Sequence, residues 1–221
     1  MRKRIILLYL VLFNISCFGQ FPTAQMKAVF TQQEISDLKT LNDFFVHSVC
    51  FKNDSIDFKT SFEKELPYLY EYGFDSIANK VDFEEQKKMY ETISDSTFNQ
   101  IWGYAKMWKD GDRGPTYKWL AVKNEGNYFN FLLEVGKKNE FIFKYADFLL
   151  SAGDLYMTSS FVLSIIKNPT EMDLNDPNIQ LITSIHMLSV LDLVQREEVW
   201  EDEYNQEFGG FEQGRSSVTG Y

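Results

Sequence analysis

Apolar residues recur at Ile35, Leu38, Leu41, Phe45 and Val49, a three-and-four spacing that predicts a helix over about 32–50. Thr31 and Glu34 frame its start as a capping box, in which the threonine hydroxyl accepts from one free helix N–H and the glutamate reaches back to another. Asn53, Asp54 and Ser55 break the pattern. Phe58, Phe62 and Leu66 then repeat at steps of four over 57–66; Pro67 interrupts, and Gly73 closes a further turn through Tyr72. Asp82 and Glu85 read as a second capping box opening a helix to about Ile93. Ser94-Asp95-Ser96 caps the next helix, expected over about 97–108, with Phe98, Ile101, Ala105 and Trp108 on one side.

Lys109–Pro115 (KDGDRGP) is the clearest loop. Beyond it the pattern is ambiguous: 117–123 fits a strand or a helical turn, and 124–127 fits a hairpin turn. The apolar runs at 128–135 and 141–152, stopped by Gly136 and Gly153, favour a helical hairpin over strands. Asp154 caps a helix to Lys167, ended near Pro169. Asp176-Pro177 is an N-cap followed by proline at the first helical position. The helix it opens is expected to run to about 204, and its polar residues between Ile179 and Val194 scatter around the axis instead of forming a face. A helix apolar on most sides is normally surrounded by others. The fold expected is all-α: one multihelical bundle of seven or eight helices around a central C-terminal helix, with a short β-hairpin near 117–135 as the alternative for that stretch.

The ends carry different signals. Arg2, Lys3 and Arg4, then the apolar run Ile5–Phe13, then a short stretch closing at Gly19, follow the order of a secretory signal peptide; the run is too short to span a bilayer. The expected organisation is signal peptide 1–19, leader 20–30, helical domain 31–207 and a glycine- and serine-rich flexible tail 208–221. Localisation is therefore periplasmic or secreted. The rival processing would lipidate Cys17, but Asn14 stands where a lipobox wants a leucine-like residue and bulky Phe18 follows the cysteine. If Cys17 leaves with the signal, Cys50 has no internal disulfide partner, and its place in the apolar run 46–51 reads as a buried small residue.

Export also changes the charge. The whole chain is at −10, and losing Arg2, Lys3 and Arg4 leaves −13. Nucleic acid and anionic membrane surfaces both need a basic footprint, so the charge argues against nucleic acid and, unless Cys17 is lipidated, against a membrane as partner. A basic protein or a neutral small ligand remains compatible.

Four groups of residues carry the candidate chemistry. Trp102, Tyr104, Trp108, Tyr117 and Trp119 flank the loop that holds Asp110, Asp112 and Arg113. Flat apolar faces beside carboxylates suit a sugar or small polar ligand, with Trp102, Trp108, Trp119, Asp110 and Asp112 as the binding set. The plainer alternative is a packed core corner. Asp110-Gly-Asp112 begins like a calcium loop, but Gly114, Pro115 and Ala121 fail the required positions. The two histidines, His47 and His186, belong to no metal or catalytic motif, and each is expected as a satisfied core residue. Last, Glu197, Glu198, Glu201 and Asp202 crowd the end of the final helix, against its macrodipole, with Trp200 among them. That group reads either as a solvated tip or as a docking surface for a basic partner.

No cofactor, metal or catalytic motif emerges. The expected function is an exported, non-enzymatic protein that binds another macromolecule, as an inhibitor, immunity-type or accessory factor. The alternative is a small-ligand or glycan binder, or a hydrolase, built on the tryptophan loop at 102–119.

Overall fold

The computed structural model describes residues 21–52, 57–73, 78, 80–108, 115–153 and 158–200. The signal-peptide region, Cys17, the loop residues 109–114, the Asp154 cap, Glu201, Asp202 and the tail lie outside the described residues. In chain order the elements are α1 (Ala24–Val29), α2 (Gln32–Lys52), α3 (Phe58–Glu63), α4 (Leu66–Tyr72), α5 (Phe83–Thr92), α6 (Asp95–Ile101), β1 (Trp102–Trp108), β2 (Thr116–Val122), α7 (Gly126–Gly136), α8 (Glu140–Ala152), α9 (Thr158–Lys167) and α10 (Pro177–Gln195). Eight of these helices have seven residues or more. Among the described residues no helix is long and apolar enough to cross a membrane.

The helix starts follow the capping chemistry of the sequence. The Thr31 Oγ1 accepts from Glu34 N at 3.3 Å while Glu34 Oε2 accepts from Thr31 N at 2.7 Å, the reciprocal pair of a capping box. Asp82 and Ser94 accept from Glu85 N and Thr97 N and start α5 and α6. Asp176 accepts from Asn178 N at 2.8 Å, with Pro177 behind it, and starts α10. Part of the leader segment is helical, as α1. Thr23 caps α1, Met26 is fully buried, and Thr23 Oγ1 donates to Asn178 Oδ1 at 2.6 Å, fastening α1 to the start of α10.

Helix α10 is the axis of the bundle, packing against α2, α5 and β2. From Asn178 to Asp192 every residue but Gln180 is buried, and Leu188 and Leu191 expose nothing. Most of its buried polar side chains find partners, as buried polar groups usually do; the fully buried Thr183 hydroxyl has none among the described residues. Ser184 Oγ donates to Asn42 Oδ1 on α2, Ser189 Oγ accepts from Trp102 Nε1 at 2.7 Å, and His186 shares a 3.1 Å hydrogen bond with the Tyr145 hydroxyl. His186 also stacks on Phe161, ring centroids 4.2 Å apart. A second fastening joins α2 to α6: the buried Asp37 carboxylate accepts from Ser94 N, Ser94 Oγ, Thr97 Oγ1 and Gln33 Nε2. The helical hairpin of α7 and α8 forms as expected. At Gly136 an added Cβ would stand 3.0 Å from the Phe143 Cα, so the close approach of the two helices needs glycine there, and Gly153 closes α8 in the left-handed conformation at φ 68°.

Five expectations are corrected. The helix expected over 97–108 ends at Ile101, and Trp102–Trp108 is a strand. The positions 98, 101, 105 and 108 fit a helical period, but 102, 104, 106 and 108 fit a period of two equally well. Pairing with 116–122 decides between them, in register from Trp102↔Val122 to Trp108↔Thr116. The β-hairpin therefore lies at 102–122 and not near 117–135: 126–136 is helical, opened by Gly126 at φ 86° with Asn127 N donating to Gln100 Oε1. The last helix stops at Gln195 instead of about 204, because residues 198–200 turn out to pair along β2. Finally, His47 is exposed, not a core residue, and Cys50 is only half-buried against the core.

Candidate functional site

The hairpin register sorts the aromatic residues onto two faces. Side chains alternate along a strand and cross-strand partners share a face. Trp102, Tyr104, Lys106 and Trp108 thus lie on one face with Thr116, Lys118, Leu120 and Val122, while Tyr117 and Trp119 lie on the other. Trp102 is fully buried, Trp108 is exposed and Trp119 is half-buried. The three tryptophans picked from the sequence do not line one surface. Asp110 and Asp112 are outside the described residues.

The tertiary structure instead joins two candidate groups that the sequence keeps apart. After α10 the chain runs antiparallel to the outer edge of β2: Lys118 N donates to the Glu198 carbonyl and Trp200 N to the Thr116 carbonyl, both at 2.8 Å, with Val199 bridged to Tyr117. Glu198 and Trp200 thereby fall on the same face as Lys106 and Trp108. The ammonium groups of Lys106 and Lys118 sit 5.2 and 5.7 Å from the Trp200 ring centroid. Trp108 and Trp200 stand in one cross-strand row with Thr116 between them, about two strand spacings or ~10 Å apart. Glu197 is exposed on this segment, but Glu198 is engaged by Arg196 and Lys118. The acidic segment at 197–200 is therefore an extended edge, not a helix tip opposed to a macrodipole.

Arg196 organises the junction. It is 3% exposed, yet its Nε and Nη2 donate to the two oxygens of the fully buried Asp192, both at 2.8 Å, and its Nη1 donates to Glu198. Its guanidinium lies over the rings of Tyr104 at 5.2 Å and Phe83 at 5.6 Å. Burial works against the charge, but the hydrogen bonds and charge of Asp192 overcome it and hold Arg196 more firmly protonated than a free arginine. Burial in turn pushes the Asp192 carboxyl up, against the pull of the guanidinium.

Beside this junction opens a cleft of about 300 Å³ lined by Lys87, Tyr90, Glu91 and Asp95, by Phe98 and Tyr104, and by Arg196 and Glu198. That volume is at the lower end of the range for small-molecule sites, enough for one or two side chains. Three rings make the apolar wall: Phe98 lies 5.7 Å from Tyr90 and 6.1 Å from Tyr104, centroid to centroid. Burial raises the pKa of both tyrosines, so their hydroxyls stay protonated at neutral pH. The cations of the cleft are already committed, Arg196 to Asp192 and Glu198, Lys87 to Glu84 at 2.8 Å. Exposed Glu91 and Asp95 have no ion-pair partner among the described residues. The cleft is thus aromatic and carries an unbalanced negative charge.

Sequence reasoning reached Tyr104, Glu198 and Trp200 but missed Lys87, Tyr90, Glu91, Phe98 and Arg196 as members of one site. The i, i+4 spacing of Asp192 and Arg196 was a legible signal for their pairing. Nothing local connects that pair with α5 and α6. Among the described residues no group of three histidine, cysteine or acidic side chains is placed to hold a metal ion. Comparisons with protein-family models, with curated proteins and with solved structures found no match.

Proposed function

We propose that this chain is an exported, non-enzymatic binding protein for a basic macromolecule, docking through the face where the hairpin meets residues 196–200. The single observation that carries the reading is the cleft: aromatic walls beside Glu91 and Asp95, two carboxylates without a cationic partner among the described residues, in a chain whose net charge is −10. Such a surface attracts a cationic group by charge and holds it by desolvation and ring contact. Exposed Trp108 and half-buried Trp200 border the same face and supply aromatic contact area of the kind that dominates protein interfaces.

The test is affinity capture from the native envelope and culture fluid, run in parallel with a Glu91→Lys/Asp95→Lys variant. A basic protein should bind the wild-type chain, be released by salt, and be lost from the variant, with circular dichroism unchanged. Identical captured proteins for both chains would refute the reading. A runner-up reading, a small-ligand binder, is favoured by the size of the cleft alone; saturable binding of a neutral sugar or metabolite there, unaffected by the charge reversal, would establish it instead.

A further inference from the structure

We propose that the cleft between α5, α6 and the hairpin is a receptor for one arginine side chain of that partner. The inference rests on the basic-partner reading and names the group that enters the site. Three features point to a guanidinium. First, the volume of about 300 Å³ accepts a side chain but not a folded element. Second, Glu91 at the end of α5 and Asp95 at the start of α6 approach the cleft from two helices, offering charge-assisted acceptors to a forked donor. Third, the Tyr104 ring already carries the Arg196 guanidinium at 5.2 Å, and its 47% exposure leaves ring surface open toward the cleft. A planar, weakly hydrated guanidinium stacks on such a surface while its edge reaches carboxylates; an ammonium satisfies the charge but not the stacking.

The positive charge nearest the cleft does not oppose this. Arg196 is neutralised by Asp192 and Glu198, and Lys87 is paired with Glu84 on its own helix. Glu91 and Asp95 are the cleft carboxylates that no cation among the described residues pairs with, and they are what an entering cation would meet there. The rim supplies what surrounds an anchor in an interface: Trp200 beneath two lysines on one side, and Trp108 two strands away.

The experiment titrates the exported chain, followed by NMR, with four probes: acetyl-Gly-Arg-Gly-amide, its lysine and citrulline counterparts, and free arginine amide. Citrulline keeps the shape of arginine and removes the charge. Saturable shifts at Tyr104, Phe98 and Asp95 are expected with the arginine peptide, at least ten-fold weaker binding with citrulline, and intermediate binding with lysine. Asp95→Asn and Glu91→Gln should each weaken the arginine peptide several-fold and flatten its salt dependence, and Tyr104→Leu should reduce the preference for arginine over lysine. Absence of saturable shifts, equal binding of citrulline, or indifference to both carboxylate substitutions overturns the inference. Free arginine amide binding more tightly than the peptide would make the ligand a small molecule and also overturn it. Failure of the peptides while a basic protein is still captured through the cleft would leave the docking reading standing on diffuse charge alone, so the two failures are distinguishable.

Discussion

Moving from pH 7 to pH 5 should weaken the fold by about 2 kcal/mol through His186 alone. The imidazole is fully buried on α10, stacked on Phe161 and bonded to the Tyr145 hydroxyl, and burial depresses its pKa from 6.5 to about 3. In the unfolded chain the ring takes a proton near pH 6.5; in the folded chain it stays neutral until about pH 3. Between those values the unfolded state binds the extra proton. The contribution is therefore complete above about pH 6.5 and is lost on acidification at about 1.4 kcal/mol per pH unit. The assay is urea unfolding at pH 7, 6 and 5, on the wild type and on His186→Gln. The variant is less stable at pH 7, because the replacement disturbs a packed site, but its deficit should shrink by about 2 kcal/mol at pH 5. Asp37 and Asp173, whose hydrogen bonds hold their carboxyls below the usual range, also lose stability in acid, but they are common to both proteins and cancel. Parallel stability curves from pH 7 to pH 5 would refute the argument and mean that His186 is hydrated or protonated in the folded chain.

Leu188→Ala should lose about 2–5 kcal/mol in denaturant melts, from burial plus a cavity at a fully enclosed site; a loss below about 1 kcal/mol would break the central-helix account. Arg196→Ala should lose about 3–5 kcal/mol because it strands Asp192, and Asp192→Leu/Arg196→Met should recover much of that loss; equal instability of the two variants would contradict the pairing argument. Mass spectrometry of the protein recovered from envelope and culture fluid should find Gln20 at its N-terminus, and an acylated Cys17 or an intact Met1 would contradict release by signal cleavage.

Local chemistry makes much of this fold legible in the sequence. Thr31, Asp82, Ser94 and Asp176 cap helices because each places a side-chain oxygen over the free N–H groups of the next turn, a purely local geometry. The burial of α10 was equally readable, since a helix without a polar face has to be enclosed. Residues 102–108 were not readable in the same way. Their side chains satisfy both a helical and a strand period, and only the partner strand at 116–122, with Ser189 waiting for the Trp102 indole, settles the choice.

The sequence by itself determined the helical class, most helix starts, the central position of α10 and the acidity of the chain, because caps, periods and charge counts are properties of neighbours along the chain. Tertiary structure alone decided where α10 stops and what its end becomes. Residues 198–200 leave the helix because β2 offers an unpaired edge, formed by residues some eighty positions earlier. That pairing carries Trp200 to the face of Trp108 and fixes Arg196 between Asp192, Glu198 and Tyr104. The cleft follows from the same step. Its carboxylates come from α5 and α6, its aromatic wall from α5, α6 and β1, and its neutralised arginine from the end of α10, and no spacing along the chain records that these segments meet.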